Sequence, residues 1–273
     1  LYMDIKSIDE NLSIETKIKE KNIKFISALE EPFDLYGTCN EGYLRLPLNV
    51  AERVSDGVKL LAANTSGVRI RFKTDSMFIA VSVKYSDVCR IEQMSLAGAA
   101  GLDMYIFEEG KYSYLTLFLP PISMEDSFES IYYFNTQKMR DITINLPSYS
   151  SVSDIYIGID RNSLIEHGGN YNNKKPVVYY GSSITQGGCA TRTGNSYPSI
   201  ISRKLNLDFL NLGFAGNAKG EKAMAEYIAT LGMSCFVFDY DFNAPTVEFL
   251  KNTHQLFFEI IREKNPTLPI IIM

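Results

Sequence analysis

The sequence predicts two structural units, an all-β sandwich or jelly roll followed by an α/β unit built on a doubly wound parallel sheet. Before about residue 160, short alternating or β-branched runs are separated by turn residues, which is typical of antiparallel sheets. Later in the chain, compact apolar runs alternate with helical patterns, which favours parallel strands joined by helices. A polar stretch lies between the two. We therefore place the sandwich at 1–165, a linker at 166–176 and the α/β unit at 177–273.

Five runs of the first unit have the length and the side-chain alternation of β-strands. Turn-forming segments, such as Asn64 to Gly67 and the pair Pro120 and Pro121, separate them. The opening segment, 5–21, lacks this alternation and is not predicted to be a strand. The predicted strands of the sandwich are 68–72, 78–83, 112–119, 141–145 and 155–159.

Four apolar runs of the second unit predict strands, and three helical patterns lie between them. Strands connected by helices in this way form parallel sheets with right-handed connections. The last run, Ile270 to Met273, has the composition of a strand buried on both faces, so we expect further chain beyond Met273 to cover it in the natural protein. The predicted strands are 177–180, 209–212, 235–238 and 268–273, and the predicted helices are 197–205, 223–231 and 247–263.

Composition and charge argue against several classes of function. The chain has 273 residues, 45% of them apolar, and a net charge of −5, with no basic cluster for a nucleic-acid backbone. No apolar run approaches the roughly 20 residues of a membrane span, and the N-terminus lacks an apolar signal-peptide core. We expect no nucleic-acid or membrane partner, and a cytoplasmic protein, or a secreted or periplasmic one if a leader preceded Leu1. The oligomeric state stays open.

Metal and cofactor chemistry is not indicated by the sequence. The four cysteines are widely spaced and form no CxxC pair, and the chain contains only two histidines, His167 and His254. We therefore expect free thiols, no metal site and no cofactor.

Glycine and polar residues follow the first three predicted strands of the α/β unit, at 181–187, 211–217 and 239–245. The carboxyl ends of parallel strands meet at one edge of a sheet, where ligands of such sheets bind. Together the three segments offer a serine, a backbone N–H in a glycine turn and an asparagine amide. These are a nucleophile and the hydrogen-bond donors that acyl transfer requires. Each segment alone is also common in turns and helix caps, so the argument depends on their order.

These segments resemble the sequence blocks of SGNH/GDSL hydrolases. Gly181-Ser182-Ser183-Ile184-Thr185 is similar to the Gly-Asp-Ser block, Gly216 falls at the oxyanion glycine, and Asn243 matches the asparagine of the third block. Upstream, 101–105 resembles the GxDLY motif of the sandwich domain in one bacterial branch, which 65–72 also fits. The resemblance implies that Ser183 is the nucleophile. It also implies that the Ser183 N–H, the Gly216 N–H and the Asn243 side chain form the oxyanion hole.

The chain departs from this family pattern in two places. Ser182 stands where the family has aspartate, which leaves the nucleophile itself in place. The Asp-x-x-His block that carries the family's catalytic base is expected beyond residue 273. His167 precedes the first strand and His254 lies on a helix leading away from the cleft, so neither is expected to replace it. We therefore expect the chain alone to be a weak or inactive esterase.

Further residues near the serine are candidates for binding substrate. Ser182, Cys189, Arg192 and Asn195 could line an acyl or sugar pocket, although ordinary loop roles are an alternative. Asp241, together with Asp239, could orient Arg192 or bind a cation, and the alternative is that both carboxylates are solvated or cap a helix. Asp103 and Tyr105 of the GxDLY-like segment are expected to be structural.

The favoured function is hydrolysis of short acyl esters, acetyl esters in particular, on a carbohydrate or another small polar substrate. This substrate class follows from the resemblance alone, since a fold does not define a substrate. Three alternatives stay open. The first is an acyltransferase that uses the same serine, and the second is a catalytically degenerate glycan-binding protein. The third is a flavodoxin-like nucleotide binder, for which the Gly-Lys-Ser/Thr ending of a phosphate loop is lacking.

Overall fold

A computed structural model describes residues 16–273 of the chain. Most of the opening segment that lacks a strand pattern, 5–21, lies outside the described residues, as does the start of the predicted sandwich. In the described part of the chain, no helix combines the length and the apolar character needed to cross a membrane.

The first unit is a sandwich of two antiparallel sheets, as predicted. One sheet has the order β1-β9-β4-β7, and the other has the order β10-β3-β8-β5-β6 with β2 beside β3. Alternate side chains of both sheets, such as Ile79, Val81 and Val83, point inward and form a core between them. The strands are β1 (Ile23–Ser27), β2 (Asp34–Tyr36), β3 (Arg69–Thr74), β4 (Phe78–Asp87), β5 (Leu102–Glu108), β6 (Lys111–Phe118), β7 (Ser127–Tyr133), β8 (Arg140–Asn145), β9 (Ser151–Asp160) and β10 (Ile165–His167), and all five predicted strands are among them.

The second unit is a parallel sheet with helices on both faces, which confirms the predicted fold class. The strand order is β12-β11-β13-β14. One face packs against Tyr197 at the start of α5, and the other packs against Met224 of α6 and Phe257 of α7. The elements are β11 (Val177–Gly181), α4 (Ser183–Gln186), α5 (Tyr197–Leu205), β12 (Phe209–Gly213), α6 (Lys222–Ile228), β13 (Cys235–Asp239), α7 (Val247–Lys264) and β14 (Ile270–Ile272).

Two short helices from the first part of the chain pack on the second unit. They are α1 (Leu48–Val54) and α2 (Asp56–Ala62), and a third helix, α3 (Leu96–Ala99), precedes β5. Val50 of α1 and Val58 of α2 lie in the same buried cluster as Val178 of β11. The range 1–165 therefore contains the sandwich and, in addition, part of the cover of the parallel sheet.

The segment between the units, 166–176, is held by specific contacts. Its first two residues, Glu166 and His167, belong to β10 and pair with β3. The Tyr171 hydroxyl accepts a hydrogen bond from Arg69 Nε at 2.9 Å, and the Arg71 guanidinium lies over the Tyr171 ring at 4.3 Å. These contacts hold the segment against the sandwich.

Arg45 joins the two units through a fully buried guanidinium. It donates to the carbonyls of Asn211 at 2.7 Å and Gly213 at 3.0 Å, both on β12. It also donates to the carbonyls of Leu61 and Asn64, each at 2.6 Å. Buried carbonyls require partners, so this one side chain satisfies the end of α2 and the end of β12 together.

Replacing this arginine should destabilise the protein strongly. In Arg45→Met the apolar stem is kept, but four buried carbonyls lose a charged donor. We expect the free energy of unfolding to fall by about 3 kcal/mol or more. Urea denaturation followed by circular dichroism measures the change. The control is Arg53→Met on α1, whose exposed side chain donates to the Asn49 carbonyl at 3.3 Å and whose loss should cost less than about 0.5 kcal/mol. Equal urea midpoints for the two variants would contradict this role of Arg45.

Candidate active site

The register of the parallel sheet brings the three candidate strand ends together. Gly181, at the end of β11, pairs with Gly213 of β12 on one side and with Asp239 of β13 on the other. Because β12 and β13 lie on opposite sides of β11, the chain reverses its direction of winding at the carboxyl end of β11. Ligands of open α/β sheets bind in the crevice outside this point. Ser183 begins α4 at this position.

Ser182 lies beneath the turn between β11 and α4. Its fully buried side chain accepts a hydrogen bond from the Ile184 N–H at 3.2 Å, so it is the N-cap of the helix. Its own N–H donates to the Asp239 carbonyl at 2.9 Å. The structure thus places the Ser182 side chain in the helix cap, whereas from the sequence it was a candidate for binding substrate. The preceding Gly181 allows this close approach, because any side chain there would collide with Thr185 and with the Asp239 carbonyl.

Ser183 is half-buried at the start of α4. Its carbonyl accepts the Gly188 N–H at 2.7 Å and the Tyr149 hydroxyl at 3.4 Å, and these contacts hold the residue in place. Its N–H stands at the first position of the helix, where no earlier turn supplies a carbonyl. Within residues 16–273 its Oγ forms no hydrogen bond. The hydroxyl and the N–H are therefore available to a ligand.

A four-residue turn after β12 contains Gly216. The Asn217 N–H donates to the Phe214 carbonyl at 3.0 Å, and Gly216 has a φ of +67°. This is the left-handed conformation that glycine adopts at the third position of type II turns. Among the described residues the Gly216 N–H has no partner, and Gly216 is exposed. By contrast, each neighbouring N–H group in the turn has a hydrogen-bond partner, namely those of Phe214, Ala215, Asn217 and Ala218.

Asn243 ends a 3-10 turn, Asp241–Asn243, that follows β13. Its Nδ2 donates to the Phe214 carbonyl at 3.0 Å, so the side chain reaches across the edge of the sheet to the turn after β12. One amide hydrogen makes this contact, and among the described residues the second has no partner, so it can donate to a ligand. The structure thus brings Ser183, Gly216 and Asn243, which are distant in sequence, to the same edge of the sheet.

The two carboxylates near Asn243 have different environments. Asp239 is buried, and its Oδ2 accepts hydrogen bonds from Thr185 Oγ1 and from the Tyr197 hydroxyl, each at 2.9 Å. Asp239 therefore holds α4 through Thr185 and contacts Tyr197. From the sequence it was considered as a residue that orients Arg192, and these contacts give it a different partner. Asp241 is exposed at the start of its 3-10 turn.

The loop after α4 is bound by the sandwich. Asp103, on β5, is fully buried and accepts the Gly194 N–H at 2.9 Å and Asn145 Nδ2 at 2.8 Å. Burial raises the pKa of Asp103, and these hydrogen bonds act in the opposite direction. Arg192 Nε lies 3.3 Å from the Asp103 carboxylate. The GxDLY-like segment thus contacts both units through Asp103.

Arg192, for which substrate binding and an ordinary loop role were both open, packs against the sandwich. Its guanidinium lies over the Tyr114 ring at 4.2 Å and donates to the Tyr105 hydroxyl at 3.3 Å. Asn195 donates through Nδ2 to Thr191 Oγ1 at 2.9 Å, a local loop contact. Cys189 is exposed, with a φ of +61°. Of the loop candidates, Cys189 retains the most open side chain.

Tyr149 lies beside Ser183, although no sequence pattern marks it as a site residue. It follows β8 of the sandwich, and in addition to its contact with Ser183 it packs with Met94, Ala99 and the half-buried Ala215. Burial raises the pKa of Tyr149 to about 12, so the hydroxyl is protonated at neutral pH and can donate. Contacts of this kind connect residues distant in sequence, and no local pattern predicts them.

Neither histidine contacts Ser183. His167 is exposed and bonded through Nδ1 to Asp34 at 2.9 Å, a hydrogen bond that raises its pKa. His254 stacks on the Phe238 ring at 4.4 Å, and burial lowers its pKa. The described residues also include no cluster of three histidine, cysteine, aspartate or glutamate side chains that could hold a metal ion.

Two family models match the chain. The model of the GDSL-like lipase/acylhydrolase family matches residues 174–273. The model of the GxDLY domain, the N-terminus of SGNH-hydrolase-type esterases, matches residues 23–165. No curated protein matches the chain.

Several solved structures have a similar fold. A protein described as a GDSL-like lipase from Bacteroides ovatus is 30% identical with a TM-score of 0.85, and the match covers 92% of this chain and 74% of that one. The salicylyl-acyltransferase SsfX3 from a tetracycline biosynthetic pathway is 19% identical with a TM-score of 0.67, covering 92% and 72%. A family two carbohydrate esterase from Cellvibrio japonicus is 12% identical with a TM-score of 0.56, covering 92% and 78%.

The second and third likenesses show the fold alone, whereas the first also extends to the sequence. With both family models matched in the order and at the positions that the motifs predict, the chain belongs to the GDSL-like lipase/acylhydrolase family, in the branch of SGNH-type esterases that carries an N-terminal GxDLY domain.

Proposed function

We propose that this chain holds the acyl-transfer site of a serine esterase, with Ser183 as nucleophile. The Ser183 N–H, the Gly216 N–H and the free amide hydrogen of Asn243 form the oxyanion hole. The observation that carries the proposal is the sheet register, which sets three strand ends side by side at one edge. Within residues 16–273, the N–H groups of Ser183 and Gly216 and one amide hydrogen of Asn243 have no partner there. Donors fixed in advance at the position of the developing charge are the largest contribution to this type of catalysis.

The proposed reaction proceeds through an acyl-enzyme. Ser183 Oγ attacks the ester carbonyl carbon, and the carbonyl oxygen gains negative charge within the hole. Collapse of this intermediate breaks the bond to the leaving alcohol, which takes up a proton, and water then hydrolyses the acyl-serine. A base must accept the serine proton in the first step. Because both histidines are engaged elsewhere, this base is proposed to come from outside residues 16–273.

The proposed substrate is a short acyl ester, an acetyl ester in particular, on a carbohydrate or another small polar molecule. The similar fold of a carbohydrate esterase supports a sugar as the alcohol part.

Transfer of the acyl group to an alcohol other than water is the second candidate. The same acyl-enzyme serves both reactions, and a salicylyl-acyltransferase shares the fold. Product analysis in the presence of added alcohols distinguishes them, since a transferase forms a new ester at the expense of free acid.

The nucleophile can be tested by covalent labelling combined with chemical rescue. A fluorophosphonate should label Ser183 slowly in the chain 1–273, because no base contacts the hydroxyl. Added imidazole should accelerate the labelling by supplying a base. Mass spectrometry of the digested protein locates the adduct. Ser183→Ala should give no adduct with or without imidazole, and an adduct on a different residue would refute the assignment.

The oxyanion role of Asn243 predicts a large effect on rate. Asn243→Ala removes a donor to the developing charge, and the imidazole-assisted labelling rate should fall by about 100-fold or more. Asn265→Ala is the matched control, since the Asn265 side-chain amide also donates to a backbone carbonyl, that of Ala229 at 3.0 Å, at the far end of α7. Similar rates for the two variants would exclude Asn243 from the hole.

Neither histidine is expected to act as the base. His167→Gln and His254→Gln should leave the rate of Ser183 labelling unchanged between pH 5 and 8. If His254 were the base, the wild-type rate would rise with pH through a pKa lowered below 6.5, and this rise would disappear in His254→Gln. Loss of labelling in either variant would identify that histidine as the base.

A further inference from the structure

We infer that Gln186 is a positioning residue that fixes the oxyanion hole and connects it to the sandwich. The inference rests on the proposed function, because it concerns the same hole. Gln186 is the last residue of α4, three positions after Ser183, and its side chain is fully buried. A buried primary amide has two hydrogens and an oxygen that need partners, so its contacts show what it holds.

All three polar sites of the Gln186 side chain are used. Oε1 accepts the Ala215 N–H at 2.9 Å. Nε2 donates to Asn64 Oδ1 and to the Ser148 carbonyl, each at 3.1 Å. Asn64 is in turn held by a hydrogen bond from its Nδ2 to Ser151 Oγ at 3.2 Å. The amide therefore forms a bridge from the sandwich to the turn that contains Gly216.

The bridge ends on one peptide group, the one that joins Phe214 to Ala215. The N–H of this peptide is bonded to Gln186, and its C=O accepts Asn243 Nδ2 at 3.0 Å. The peptide plane is thus held at both ends by side chains from α4 and from the turn after β13. The next peptide carries the Gly216 N–H, and its orientation depends on the plane before it.

The arrangement also decides which N–H group a ligand meets. Ala215 and Gly216 are adjacent donors in the same turn, and glycine allows the turn to change conformation at low cost. Engagement of the Ala215 N–H by Gln186 leaves the Gly216 N–H as the donor presented to the cleft. Because Asn64 and Ser148 belong to the sandwich part of the chain, the sandwich contributes to the geometry of the hole without touching the reacting atoms.

Hydrogen exchange directly tests the hydrogen bond between the Ala215 N–H and the Gln186 side chain. In Gln186→Met, which has a similar volume and no amide, the Ala215 N–H loses its acceptor. Its exchange rate, measured by NMR, should rise about tenfold. Ser66→Ala is the matched control, because Ser66 Oγ donates to the backbone carbonyl of the same Gln186 at 2.6 Å and leaves the side-chain amide intact. It should lower thermal stability while Ala215 remains protected.

Labelling of Ser183 tests the consequence for catalysis. With imidazole present, Gln186→Met should react with the fluorophosphonate at least about tenfold more slowly than wild type, and Ser66→Ala at the wild-type rate. Unchanged Ala215 exchange in Gln186→Met, or equal labelling rates in Gln186→Met and Ser66→Ala, would overturn the proposal. If wild-type Ser183 is not labelled while Ala215 exchange responds as expected, the proposed nucleophile fails and the positioning of the turn by Gln186 stands.

A second variant covers the case in which Gln186→Met does not fold. Asn64→Ala removes one of the two sandwich partners of the Gln186 amide and keeps its bond to Ala215. Ala215 exchange should rise and Ser183 labelling should fall, each by less than in Gln186→Met. Wild-type behaviour of Asn64→Ala in both measurements would contradict a role of Asn64 in the bridge from the sandwich to the turn.

Discussion

The pairing of β11 with a neighbour on each side is the constraint on which the site depends. Gly181 lies opposite both Gly213 and Asp239, and this register is set by apolar residues buried on both faces of the sheet. A shift of one residue in either pairing would exchange the faces of a whole strand, at the cost of its buried side chains. The energetics of the core therefore fix the relative positions of three loops that are not in contact along the sequence.

Buried polar groups connect this edge of the sheet to the sandwich. Arg45 satisfies two carbonyls at the end of β12, Gln186 satisfies the Ala215 N–H, and Asp103 satisfies the Gly194 N–H. A buried group of this kind adds little net stability when paired but costs several kcal/mol when its partner is removed. Such contacts favour one relative arrangement of the two units over all others, which makes them suited to holding a catalytic edge.

The elements of the fold were accessible from the sequence because their signals are local. The apolar runs that became β11, β12 and β13 have the length and composition of buried strands, and the helix at Val247–Lys264 follows a continuous apolar face. The packing of α1 and α2 on the second unit was not predicted. Two short helices within a strand-rich region have weak periodic signals, and the surface that they cover lies more than a hundred residues away along the chain.

The candidate site was predicted in part, for a similar reason. Ser183, Gly216 and Asn243 stand directly after strands, where topology alone brings them to one edge. The roles of Ser182 and Arg192 depend on which neighbours reach them in space, and the structure assigns them to a helix cap and to the sandwich contact. Gln186 lies in the segment 181–187 that also contains Ser183. A glutamine side chain is neither a nucleophile nor a base, so the sequence does not identify it as a functional residue. Its importance comes from burial with all three polar sites bonded, which only the folded chain shows.

Two contributions to the proposed catalysis can be considered separately, namely the hydrogen-bond donors of the oxyanion hole and the base that activates the serine. The donors of the proposed hole are held by backbone geometry and by buried amides, so they exist before any substrate binds. Activation of the serine requires a base, and the described residues place none beside Ser183 Oγ. In serine hydrolases that lose their base, the hole and the binding site still supply a rate advantage over water of about 10³–10⁴. In the proposed reaction, the described residues stabilise the transition state, and the group that accepts the serine proton sets the rate of attack.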